Sequence, residues 1–142
     1  MKMSQIVLTG VLFFGTTGTW ATGMDARQEV SLPATLKTHM LHNMRDHLLA
    51  LHEILDALGR DDSDKAAQIA ESRLGMSSLA LHGANRAGPY MPPAMRKAGM
   101  SLHHAASRFA LAVQEEDSQK TYKALSQITA SCITCHAQFR LR

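Results

Sequence analysis

Residues 36–59 read LKTHMLHNMRDHLLALHEILDALG, and apolar side chains recur there at Leu36, Met40, Met44, Leu48, Leu51, Leu55 and Leu58. A return every three to four residues keeps these side chains on one helix face. The spacing therefore predicts a helix of about seven turns, entered at Pro33 and stopped by Gly59. A stripe of that length must be covered by other helices.

The downstream sequence supplies them. Arg60-Asp61-Asp62 reads as a polar turn, and Asp62 or Ser63 can cap a second helix with Ala67, Ala70, Leu74, Ser78 and Leu81 on one side, ended by His82-Gly83. Glycines and prolines from Gly83 to Pro92 mark the longest loop. Pro92 and Pro93 suit the first turn of a third helix carrying Met95, Ala98, Gly99, Leu102, Ala105, Ala106, Phe109, Ala112 and Val113. After the acidic turn Glu115–Ser118, a fourth helix places Tyr122, Leu125, Ile128, Thr129, Cys132, Cys135, His136 and Phe139 on a single face. No window alternates with period two, so a sheet is not expected. Four helices of similar length, two of the three connections short, predict an all-α chain folded as an antiparallel four-helix bundle, an architecture whose interior hosts cofactors.

The chain holds two cysteines, and both fall in Cys132-Ile133-Thr134-Cys135-His136. C-x-x-C-H is the spelling of a c-type haem attachment: two thiols bond one porphyrin covalently, and the adjoining imidazole reaches the iron. Cys132 and Cys135 are thus the expected covalent haem c ligands and His136 the proximal iron ligand. Two other readings of C-x-x-C are a redox disulfide and a zinc site. The first belongs beside a βαβ pattern, and the second needs four ligands from paired short-spaced motifs; this chain has neither. On a helix Cys132 and Cys135 lie about 60° apart and His136 one turn after Cys132, so the motif projects from one face.

The amino end carries a basic start, Met1-Lys2-Met3, then the apolar run Ile6–Phe14 and a small residue at Ala21. That run is too short to span a bilayer, and the pattern predicts a cleaved signal peptide over residues 1–21, a single domain over 22–142, and export to the periplasm with no membrane span afterwards. The formal net charge of +3 includes Lys2 and is spread along the chain, without the basic clusters of a nucleic-acid surface.

The string Cys132-Ile133-Thr134-Cys135-His136-Ala137-Gln138-Phe139-Arg140 resembles the C-x-x-C-H-x-x-aromatic-Arg ending of class II c-type cytochromes, the cytochrome c′ and cytochrome c556 group. The resemblance implies a four-helix bundle with haem near the carboxyl end, and places Arg140 near the haem edge; a solvated terminal charge is the plainer role for that arginine. It also implies that the first helix supplies the far side of the iron, a Met in six-coordinate carriers and a non-ligating residue in gas-binding members. Met40, Met44 and His47 share the expected core side of the first helix, within about 60° of one another, while His39, His42 and His52 point elsewhere. Met44-Arg45 resembles the family's Met-Lys pair, which makes Met44 the first choice of distal ligand, Met40 the second and His47 the third. The Arg that the family often carries one turn earlier is Met40 here, so propionate partners do not transfer; Lys37, Arg45, Arg86 and Arg96 are the candidates. The remaining histidines, including His103-His104, are assigned to polar faces, and a second metal site has no supporting spacing.

The expected function is that of a non-enzymatic carrier of single electrons between redox partner proteins. The alternative is a five-coordinate protein that binds small gases. Some family members pair through their first two helices, and the resemblance leaves a homodimer open.

Overall fold

The computed structural model describes residues 25–142, so the signal-peptide reading lies outside the described residues. The described chain is all-α apart from two three-residue strands. Helix α1 spans Ala34–Leu58, α2 Ser63–Ile69, α3 Ala84–Ala87, α4 Pro93–Ala112 and α5 Ser118–Gln138. Asp62 and Asp117 cap α2 and α5, their carboxylates accepting from Lys65 N at 2.9 Å and Lys120 N at 3.0 Å. Helix α5 packs along α4, α1 packs against α2, and α2 with its continuation bridges to α4.

Helix α1 is where the pattern predicted it, but its inward face differs. Asn43, His47, Ala50, Ile54 and Ala57 are buried, whereas Leu48 is 70% and Leu55 52% exposed. The buried series is offset by one position from the leucine series, a rotation of about 100°. The cause is the seam with α2: Ala50 and Ala57 meet a partner lined by Ala66, Ala67 and Ala70, and side chains this small let two backbones approach closely. Leu51 and Leu58 lie half-buried on the rim of that core. Its largest enclosed side chains are Phe109, Ile54, Leu74 and Ile128.

The second predicted helix does not run to Leu81. After α2 the chain continues as a π-helical turn, Ala70–Leu74, and breaks at Gly75, whose ψ of −176° is extended. The Glu71 side chain folds back over Gly75, so closely that a Cβ there would collide with it, and a Cβ would also stand 2.7 Å from Glu71 O. The Glu71 carboxylate accepts from Ser77 N at 3.1 Å and Ser107 Oγ at 2.5 Å, fastening the break to α4. Gly83 then turns the chain at φ +63°, and the expected long loop contains α3 and a 3₁₀ turn, Gly88–Tyr90. Arg73 pairs with Asp46 and Glu53 and so ties the π turn to α1.

The two strands are a further departure. Strand β1, Gln28–Val30, pairs in parallel with β2, Phe139–Leu141, so the segment expected as a polar leader lies beside the carboxyl end. Phe139, expected on the last helix face, leaves the helix at φ −127°, ψ 148°. It is buried with Val30 and Met95, flanked by Leu32, Met91, Cys135 and Leu141. Removing two apolar side chains from water together outweighs one more helical turn.

Candidate functional site

The inward stripe of α5 runs Thr121, Leu125, Ile128, Cys132, Cys135, steps of four and three that hold one helix face. The first three are buried and the two cysteines half-buried. Cys132 packs against the main core and Cys135 against the Val30–Met95–Phe139 cluster, so the thiols stand where the two apolar clusters meet. Both are free thiols.

Burial pushes the Cys132 thiol above its ordinary range, and burial together with Cys132 does the same to Cys135. Both sit in the last two turns of α5, where the helix dipole also opposes negative charge. Redox C-x-x-C pairs need the opposite, a thiolate favoured by a helix amino terminus or a nearby cation. These thiols are neutral and apolar in setting, which suits permanent thioether bonds better than disulfide exchange.

His136 is exposed at the end of the motif, and its backbone oxygen lies 3.4 Å from Arg27 Nη1. One turn along α4 from Met95, Gly99 faces open space: a Cβ there would meet nothing within 4 Å. Two free thiols on one helix face, followed at once by a solvent-facing imidazole, make a donor set that fits a haem c. Cys132 and Cys135 would hold it and His136 would ligate its iron. Among the described residues, no three His, Cys, Asp or Glu side chains stand together as a metal cage.

Arg140 meets the β1 side of the motif. Its Nη2 lies 2.7 Å from Glu29 Oε2 and its Nε 3.7 Å from Asp25 Oδ2. Arg27 and Arg140 both hold Asp25, and the Arg27 hydrogen bonds draw its carboxyl down to about 2. Of the propionate candidates, Arg96 is engaged with loop carbonyls, donating to Met91 O at 2.6 Å and Gly88 O at 3.3 Å; Arg45 and Arg86 are exposed and Lys37 is half-buried.

On α1, Met40 and Met44 are half-buried, and neither belongs to a buried cluster. His47, the third choice, is buried with its Nε2 3.4 Å from His82 Nε2. Two histidine assignments need correction. His103 is buried, not on a polar face, with Nδ1 2.8 Å from Leu74 O, and His39 has its Nε2 enclosed with no hydrogen-bond partner. Both follow from the rotated α1 face and the break at Gly75, which no spacing rule announces. His42, His52 and His104 are exposed as expected.

Comparison with protein-family models, with curated proteins and with solved structures finds no match to this chain.

Proposed function

We propose that this chain is an exported class II c-type cytochrome, a periplasmic carrier of single electrons with one haem c bonded to Cys132 and Cys135 and ligated by His136. The α5 stripe carries this reading: two neutral, reduced thiols continue a buried helix face and are followed at once by an exposed imidazole. In it α1, α2 with its π turn, α4 and α5 are the four members of an antiparallel bundle. Bound there, haem supplies a reversible one-electron couple. His136 would ligate the iron, the Met95–Phe139 cluster would keep water from the porphyrin, and Met44 would offer a thioether as a second ligand. A thioether ligand favours ferrous iron and raises the potential.

The second reading is a five-coordinate, gas-binding iron. It is favoured by one observation, that neither Met40 nor Met44 is fixed by either apolar cluster.

Absorption spectra of the oxidised and reduced protein, followed by carbon monoxide, test both. The carrier gives a low-spin spectrum with a ferric sulfur-to-iron charge-transfer band and no carbon monoxide shift. High-spin iron that binds carbon monoxide selects the gas reader, and a colourless protein from cells equipped for haem attachment excludes both.

A further inference from the structure

Three imidazoles form a row through the interior. His47 comes from α1, His82 from the turn before α3 and His103 from α4, with ring centroids 4.6 Å apart for the first pair and 5.3 Å for the second. The ring nitrogens are sorted by what surrounds them. Leu74 O can only accept, so His103 Nδ1 carries a hydrogen, at 2.8 Å. Ser78 Oγ donates to Gly75 O at 2.7 Å and is left to accept from His82 Nδ1, 3.4 Å away. His82 Nε2 is then a bare lone pair, and it faces His47 Nε2 at 3.4 Å.

That separation is long for a hydrogen bond between two nitrogens. It does match the edge of a tetrahedron: two nitrogens at about 2.0–2.1 Å from zinc stand about 3.3–3.4 Å apart, whereas adjacent ligands of a square-planar ion would stand about 2.8 Å apart. We propose that His47 Nε2 and His82 Nε2 form a two-histidine seat for a tetrahedral divalent ion of the zinc class, its remaining positions filled by water.

The surroundings are those of held ligands. Asn43 Nδ2 donates to His82 O at 3.1 Å and so fixes the residue from α1, and the Ser78 contact orients its ring. His82 is half-buried, which leaves an entry for the ion and for water. Beside the pair, His39 Nε2 is enclosed without a partner; a Cβ on Gly83 would stand 3.2 Å from it. Asp46 adds a negative charge next to His47, although Arg73 is bonded to it. The two ligands lie 35 residues apart on separate elements, which is why no short-spaced motif reveals them.

The test is zinc calorimetry on the full chain as purified, with zinc-edge X-ray absorption of the loaded protein. One zinc per chain is expected, with two imidazole nitrogens in its shell. His82→Gln is expected to weaken binding at least tenfold, and His104→Gln, at an exposed histidine, to leave it unchanged. Helical circular dichroism must be retained for a variant to be read; where His82→Gln loses it, His47→Gln takes its place, and the absorption data on the unaltered protein decide without either. Absence of stoichiometric zinc, a shell with fewer than two imidazoles, or unchanged affinity in both variants would overturn the proposal.

Discussion

Arg140 Nη2 stands 2.7 Å from Glu29 Oε2, so the residue four places after His136 is ionically bound to the segment that precedes α1. The same two residues are register partners in the parallel β1–β2 ladder. Backbone pairing and charge therefore hold the segment ahead of α1 beside the C-x-x-C-H motif.

Glu29→Gln removes the charge and keeps the shape. Both partners are about one-third exposed, and exposed pairs contribute about 0.2–1 kcal/mol, so the urea midpoint should fall only slightly. The loss should shrink further at high salt. A drop of several kcal/mol would mean that the pair is a structural centre, not a fastening.

Phe139→Ala acts on packing. Phe139 is 7% exposed against Val30 and Met95, and truncating a buried phenylalanine costs about 3–5 kcal/mol. A value near the lower end is expected because the cluster is small and peripheral. Limited proteolysis should then cut ahead of α1 sooner than in the unaltered protein, while cleavage within α4 stays slow. Equal acceleration at both places would contradict a separate end cluster.

Acid should weaken the fold through His47. Its folded value, about 4, lies below the unfolded 6.5, chiefly because burial disfavours the charged ring. The unfolded chain therefore binds more protons between those values. In zinc-free protein, stability is fully present above about pH 6.5, falls as pH drops through the window to about 4, and loses no more to this group below it. His82, also lowered, adds in the same direction. The contribution is on the order of 3–4 kcal/mol, at about 1.4 kcal/mol per pKa unit over the shift from 6.5 to about 4. Denaturation midpoints of the unaltered protein and His47→Gln should converge as pH falls from 7 to 4; parallel curves would remove His47 from this role.

Met44→Ala separates ligand from filler. If Met44 ligates the iron as proposed, its removal should abolish the ferric sulfur-to-iron charge-transfer band and turn the spectrum high-spin. If the spectrum is unchanged, the same measurement on Met40→Ala locates the thioether.

The long helices α1, α4 and α5 were legible because apolar spacing survives in any environment, and so was Asp62 as one of two residues able to cap α2, since a cap acts within three residues. The inward face of α1 was not. Leucines dominate any hydropathy count, yet the tight seam with α2 selects alanines, leaving Leu48 and Leu55 outside. The break at Gly75 depends on Glu71 and Ser107 meeting across 36 residues, and the β1–β2 ladder on pairing between the segment ahead of α1 and the segment after α5; neither leaves a local mark. The place of Cys132 and Cys135 on the inward face of α5 was legible, because their spacing continues the Leu125–Ile128 stripe within one helix. Met40 and Met44 were legible as helix residues, but ligand and packing residue share one spacing.

Intact mass of the purified protein under denaturing conditions is the sharpest check on the proposed covalent haem. The protein should be made in cells that attach haem and compared with Cys132→Ser/Cys135→Ser. The unaltered chain should carry the added mass of one haem through acid and organic extraction, and the double variant should not. A chain at its bare polypeptide mass, with both thiols still titratable, would contradict it.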